Sequence, residues 1–130
     1  MTSIQRQYLA NRYDAFVDYV GKIISLADTM MLMDNVTDND KRNLELFKTI
    51  MHRKDVQDVK NDLANARIKK STLDKTEKLD KDIVGFTVEH MSVSPLFQHI
   101  LKQVSYYQIE YNKQIAIIQL NDLQIQIDED

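Results

Sequence analysis

The stretch "SPLFQHILKQVSYYQIEYNKQIAIIQL", residues 94–120, decides the fold class of this chain. Ser94 is a natural helix cap and Pro95 suits the first helical position, so the sequence predicts that a helix begins here. Along the rest of the stretch, mostly apolar residues recur at steps of three and four, which is the spacing of one helix face. That stripe consists of Phe97, Leu101, Val104, Gln108, Tyr111, Ile115 and Ile118.

The apolar surface of this helix is wider than one neighbouring helix needs. A helix that is apolar most of the way round is buried on several sides, and a chain of 130 residues has few helices to cover it. We therefore predict that a partner subunit covers part of this surface. The predicted partner-binding residues of the helix are Tyr106, Tyr107, Tyr111 and Ile117.

In the remainder of the chain, apolar residues also recur at helical spacing. A first helix is predicted from about Ser3 to Met33, and Gly21 inside it is explained by close packing against a neighbour. Thr37 or Asp38 can cap the next helix, and Ser71 or Thr72 a later one. Those candidate caps, with the Ser94–Pro95 break, divide the chain into about four helices.

The middle of the chain contains one ambiguous step. Leu44, Phe47 and Met51 form one apolar stripe, and a second stripe begins at Val56 after a step of five residues. Either the helix kinks there, or a new helix begins at Asp55.

Composition favours the same architecture. Glycine occurs twice and proline once, too few for the turns of a multi-strand β domain, while 43% of the residues are hydrophobic. We predict an all-α bundle or hairpin forming one domain over residues 1–130, with long first and last helices. The absence of cysteine excludes disulfides, thiolate nucleophiles and Cys-ligated zinc. No window has the length and apolarity of a membrane span, so we expect a soluble protein without a membrane partner.

Charge is distributed unevenly along the chain. The segment 38–82 holds 12 of the 17 basic and 10 of the 20 acidic residues, whereas all six tyrosines lie outside it. We expect the terminal helices to pack as a body and residues 38–82 to project as a charged helical arm.

The end of the chain, "NDLQIQIDED" over residues 121–130, is predicted to be a docking tail. Two interpretations stay open, because short apolar runs are ambiguous by periodicity. As a helix, the tail continues the last stripe. As a strand, it presents Leu123, Ile125 and Ile127 on one face, and a lone strand requires pairing with another polypeptide. Those three residues are the tail's predicted partner-binding residues.

No residue pattern indicates catalysis, a cofactor or a metal. His52, His90 and His99 follow no recognised ligand spacing, although His90 and His99 lie on either side of the Pro95 turn. No carboxylate lies isolated in an apolar run, where desolvation would raise its pKa as general acid catalysis requires. Two glycines cannot build a phosphate-binding loop. We therefore expect a protein that is not an enzyme and holds no cofactor or metal.

Two basic clusters are candidates for nucleic-acid binding, but neighbouring aspartates leave the region close to neutral, which disfavours phosphate binding. The candidate residues are Arg53, Lys54, Arg67, Lys69 and Lys70.

The predicted function is a structural or assembly role exerted through subunit interfaces in a homo-oligomer or larger assembly. Low glycine and proline usage, with abundant isoleucine, lysine and asparagine, is typical of AT-rich genomes such as those of many phages, which suggests a component of a virus particle. The predicted location is the host cytoplasm or the particle itself. One alternative is an oligomeric nucleic-acid-associated factor, such as a small-terminase-like packaging or regulatory protein, although no motif of that family matches. Another is a small helical inhibitor or adaptor of a host protein.

Overall fold

Five α-helices make up the part of the chain that a computed structural model describes, residues 3–65 and 67–120. Each regular element of these ranges is helical, which confirms the all-α bundle with long first and last helices. The tail 121–130 and its predicted contact residues lie outside the described residues. The helices are α1 (Ser3–Met31), α2 (Asp38–Met51), α3 (Lys54–Ala64), α4 (Lys70–Met91) and α5 (Leu96–Leu120).

A local capping interaction sets where α2 begins. Thr37 accepts a hydrogen bond from the Asp40 backbone N–H at 3.1 Å, and the Asp40 carboxylate accepts one from the Thr37 N–H at 3.2 Å. This reciprocal pair is a capping box, which satisfies backbone donors that a helix start leaves open. The cap predicted at Thr37 is therefore confirmed. Helix α5 begins directly after Pro95, as the Ser94–Pro95 break predicts.

The ambiguous middle step is a break between two helices. Helix α2 ends at Met51, and α3 begins at Lys54, one residue before the predicted start at Asp55. The step of five residues from Met51 to Val56 exceeds a helical turn, so two helices are needed to bury both side chains, each of which is at most 1% exposed. Helix α4 begins at Lys70, slightly before the predicted caps.

The core lies between α1 on one side and the pair α4 and α5 on the other. Helices α2 and α3 cover its remaining sides. Helix α1 packs against α2, α3 and α5, while α4 packs against α2, α3 and α5. Apolar side chains from all five helices are fully covered. The largest of them are Phe16, Tyr19, Ile23, Leu44, Phe47, Met51, Leu79, Ile83, Phe97 and Ile100.

The middle helices belong to this core, so the prediction of a projecting arm over residues 38–82 is wrong. Leu44, Phe47 and Met51 of α2 are buried, as are Val56 and other apolar residues of α3. The charges that suggested an arm lie on the outer sides of the two helices. A charged outer side does not determine the character of the side facing the core. Here that side is apolar apart from Asp40 at the start of α2, whose carboxylate belongs to the capping box.

Gly21 does not mark a close helix contact within the chain. A Cβ built on Gly21, or on Gly85 in α4, meets nothing within 4 Å. The close packing predicted for Gly21 is therefore wrong for the described residues. Both glycines lie on the exposed side of a helix, where they cost helix stability through backbone entropy.

Replacing either glycine with alanine is expected to stabilise the protein. Gly21→Ala and Gly85→Ala should each raise the free energy of unfolding by about 0.5–1 kcal/mol, because alanine restricts the unfolded chain and fits the helix. Denaturant unfolding followed by circular dichroism measures this change. A loss of stability in Gly21→Ala would show that some other surface packs closely on α1 at that position.

Candidate protein interface

Helix α5 has an inner face that belongs to the core and an outer face that faces away from it. Phe97, Ile100 and Val104 are fully buried on the inner face. On the opposite side lie three large exposed apolar side chains, and two lysines accompany them. We call this side the α5 outer face; it consists of Lys102, Tyr106, Ile109, Lys113 and Ile117.

The exposed fractions are large for apolar residues on a helix. Tyr106 is 57%, Ile109 54% and Ile117 60% exposed. They are spaced at three and eight residues, so all three point to the same side of the helix. Scattered exposed apolar residues are ordinary, but a row of them along one helix is typical of a contact surface.

Among the predicted partner-binding tyrosines, only Tyr106 is fully on the outside. Tyr107 is half-buried beside α1, where the Lys22 Nζ atom lies 6.0 Å from its ring centroid. The rings of Tyr106 and Tyr107 meet edge to face, with centroids 6.1 Å apart. Tyr107 therefore borders the α5 outer face and supports the ring of Tyr106.

Tyr111 is buried within its own chain, so it does not lie on the exposed surface of α5 where the sequence placed it as a partner-binding residue. It is 7% exposed and stacks on Tyr19 with ring centroids 5.0 Å apart. Phe16 meets the same ring edge-on at 6.3 Å. Burial raises the pKa of Tyr111 to about 12. Helix α1 therefore supplies, within one chain, part of the cover that the sequence assigned to a neighbour.

A shallow groove continues the α5 outer face towards α1. It runs between the two helices, and Ile117 forms its apolar wall on the α5 side. Two carboxylates, those of Asp14 and Asp18, line the α1 side. Asp18 pairs with Lys22 at 3.0 Å, one helical turn further along. The groove therefore joins an apolar wall to an acidic rim.

A separate apolar patch lies at the end of the bundle where α1 meets α2 and α4 meets α5. Leu32 is 84% and Val93 70% exposed in these two turns. Met30 and Met31 of the methionine cluster are half-buried against the core, whereas Met33 is exposed. The cluster therefore fills space at the helix end and leaves only its last members at the surface.

Asp80 of α4 is a partly buried carboxylate that the sequence prediction missed. Its Oδ1 atom accepts a hydrogen bond from the Tyr19 hydroxyl at 2.9 Å, and its backbone carbonyl accepts one from the Gln108 amide at 3.3 Å. Burial raises the pKa of Asp80, and the hydrogen bond from Tyr19 opposes that rise. Burial likewise raises the pKa of the Tyr19 hydroxyl. Asp80 thus corrects the expectation that no carboxylate here is desolvated.

Asp80 lies at the edge of a half-open cavity of about 260 Å³ between α1, α4 and α5. Leu73 and Ile115 contribute apolar wall, and Arg12 and Glu77 bring opposite charges to it. Asp80 was missed because Leu79 is its only apolar immediate neighbour; Tyr19 and Tyr111, which shield it, come from other helices. The one usable signal is that Asp80 directly follows a core residue of α4, which places it at the border of the buried face.

Lowering the pH should increase the stability of the native protein relative to that of an Asp80→Asn variant. Because the pKa of Asp80 is higher in the folded chain than its ordinary value of 3.8, the folded state binds the proton more tightly. The free energy of unfolding of the native protein, minus that of Asp80→Asn, should therefore rise as pH falls from 7 towards 4. Urea unfolding of both proteins across this range measures the difference. A difference that stays constant or falls would show that Asp80 is not desolvated.

Arg53, one of the candidate nucleic-acid-binding residues, is paired within the chain. Its guanidinium contacts Asp82 at 2.7 Å, and its Nε and Nη2 atoms contact the two oxygens of Asp55 at 3.2 and 3.1 Å. Partial burial acts to lower the pKa of Arg53, but these two carboxylates outweigh it and the pKa is raised. A guanidinium held by two carboxylates would have to give them up to bind phosphate.

The two basic clusters lie at opposite ends of α3. Arg53 and Lys54 stand at its start, while Lys69 and Lys70 follow its end. Eleven helical residues span about 16 Å, so about the length of α3 separates the two clusters. Arg67 is exposed between α3 and α4. Nucleic-acid binding by these residues stays a prediction, which DNA retention that weakens with salt would support.

Removing the Arg53 ion pairs should cost moderate stability. Arg53→Gln is expected to lower the free energy of unfolding by about 1 kcal/mol, because all three charged groups are partly exposed to solvent. Lys54→Gln is the matched control; it removes a neighbouring exposed charge and should change stability by less than about 0.5 kcal/mol. Equal effects of the two changes in denaturant unfolding would contradict the pairing of Arg53.

The histidines do not converge on a metal site. His90 stacks on Phe86 with centroids 4.2 Å apart, and its Nδ1 lies 2.8 Å from the Phe86 carbonyl oxygen. His52 and His99 are exposed. Within residues 3–65 and 67–120, no group of three or more metal-ligating side chains comes together. In the same ranges no helix is long and apolar enough to cross a membrane.

Comparison with protein families, with characterised proteins and with solved structures finds no match to this chain.

Proposed function

We propose that this protein is a non-enzymatic structural or assembly component that acts through subunit interfaces, as part of a virus (phage) particle. The observation that supports an interface role is the α5 outer face, where Tyr106, Ile109 and Ile117 are each more than half exposed in one row. Burying such side chains is favourable by about 25 cal/mol per Å² of apolar surface removed from water. The viral setting rests on the composition of the chain alone.

The proposed mechanism is surface burial on a rigid support. The inner face of α5 is fixed by the core, so the outer face needs no reordering of the helix when a neighbour docks. Tyr106 serves as the aromatic anchor, because its ring combines a large apolar area with few rotatable bonds. The tail 121–130 is proposed to add Leu123, Ile125 and Ile127 to the contact with a neighbouring subunit.

Mass in solution tests the proposal. We expect the full chain to associate, and the double variant Ile109→Ser/Ile117→Ser to raise the dissociation constant at least about tenfold, since large apolar residues are lost from the contact. A chain ending at Asp122 should associate more weakly than the full chain. Light scattering coupled to gel filtration, over a range of protein concentrations, provides the measurement.

The chain offers a matched control for this experiment. Leu46 and Val88 are 50% and 52% exposed on α2 and α4, away from the α5 outer face. Leu46→Ser/Val88→Ser should leave association unchanged. A full chain that is monomeric at every concentration would overturn the proposal, as would equal weakening by the control pair. A monomer that binds one host protein tightly would instead favour an inhibitor or adaptor.

A further inference from the structure

The α5 outer face is arranged symmetrically about its own middle. Tyr106 and Lys113 lie at equal distances on either side of the midpoint between Ile109 and Glu110. Lys102 and Ile117 lie at equal distances further out. A surface whose two halves are complementary can pair with an identical surface turned end over end, which is the condition for a two-fold interface.

We propose that a second copy of this chain packs antiparallel on the α5 outer face, about a two-fold axis beside Ile109. This inference rests on the proposed function and names its partner. The two Ile109 side chains meet at the axis, and each copy contributes the same residues to the other. One interface therefore covers the exposed apolar row on both copies.

Charge and aromatic complementarity favour the antiparallel direction. In that direction the Lys113 ammonium of each copy lies opposite the Tyr106 ring of the other, where a cation is attracted to the ring face. Lys113 keeps its own weak pair with Glu110, 3.6 Å away at the edge of the face. In a parallel arrangement Lys113 would instead meet Lys113, and Lys102 would meet Lys102. Like charges placed opposite each other oppose association.

The ends of the face are complementary as well. Lys102 and Ile117 are separated by fifteen residues, about 22 Å of helix. Turning one copy end over end brings its Lys102 to the Ile117 end of the other. That end borders the groove whose α1 side carries the carboxylates of Asp14 and Asp18. Asp18 is already paired with Lys22 at 3.0 Å, so Asp14 is the carboxylate that Lys102 of the other copy approaches at each end of the interface.

The size of the face limits the expected affinity. Three large apolar residues from each copy form a small interface core, well below that of an obligate dimer. We expect a dissociation constant on the order of 10 µM, in the range of weak and reversible association. Association should therefore be measured at protein concentrations both well below and well above this value.

Cysteine cross-linking tests the geometry directly, because the chain has no cysteine of its own. Lys102→Cys and Ile117→Cys are prepared separately in the full chain, which leaves Tyr106, Ile109 and Lys113 in place. The two variants are mixed and treated with a short bis-maleimide. The antiparallel pair predicts linkage between position 102 of one copy and position 117 of the other, at least about tenfold above the yield of Lys102→Cys alone.

Leu46→Cys mixed with Ile117→Cys is the matched control, because Leu46 is similarly exposed on α2. Its cross-linking yield should stay at the level of random collision. Efficient linkage of Lys102→Cys to itself would indicate a parallel pair and overturn the proposal. Linkage of the 102–117 mixture no greater than that of the control would overturn it too.

A second measurement tests the contact between Lys113 and Tyr106. Lys113→Gln should raise the dissociation constant about five- to thirtyfold, because the two-fold pair loses two exposed cation–π contacts, and Lys113→Arg should restore it. Equal dissociation constants for Lys113→Gln and the native chain would contradict the arrangement.

The failures of the two proposals are distinguishable. If light scattering shows association but positions 102 and 117 do not link, the antiparallel pair is wrong and the interface function stands. If the chain is monomeric at every concentration, both are wrong.

Discussion

Tyr111 lies where α1, α4 and α5 meet, and its burial determines which side of α5 is left for other contacts. Its ring stacks on Tyr19 and meets the edge of Phe16, so α5 cannot rotate without exposing an aromatic cluster to water. Successive residues of a helix are rotated by 100° about its axis. When Tyr111 points inward, Ile109 and Lys113 therefore point outward. The core contact and the candidate interface are thus two consequences of one helix orientation.

The same junction holds an acidic group away from water. Asp80 reaches the Tyr19 hydroxyl across the α1–α4 contact, which gives two buried polar atoms a mutual partner. Desolvation of the carboxylate costs free energy, and the hydrogen bond offsets part of it. The hydrogen bond orients Tyr19, because it ties the hydroxyl to α4 while the Tyr19 ring stacks on α5. This polar contact therefore fixes the register of three helices. Apolar contacts alone define that register less specifically.

Ion pairs connect neighbouring helices within the charged middle of the chain. Arg53 joins the start of α3 to α4 through Asp82, and Lys75 of α4 reaches Asp58 of α3 at 3.4 Å. These pairs connect neighbouring helices along the edge of the apolar core. Arg53, one of the basic residues that suggest a nucleic-acid surface in the sequence, thereby faces two aspartates, and the two basic clusters are separated by the length of α3. Composition alone cannot distinguish a charged interaction surface from a charged seam between helices.

The helices and most of the core could be predicted from the sequence, because caps and apolar spacing are local properties of the chain. The capping box at Thr37, the break before Leu96 and the burial of Phe47, Val56 and Phe97 follow from residues only a few positions apart. Which wide or charged surfaces are covered within the chain could not be predicted in this way, since the residues that cover them are distant in sequence and meet only in the folded protein. Tyr111 was assigned to a partner because periodicity shows that a surface is apolar, and not which helix covers it. For the same reason the residues 38–82 looked like an arm. The burial of Asp80 depends on Tyr19, 61 positions away, so the neighbours of Asp80 in the sequence do not determine it.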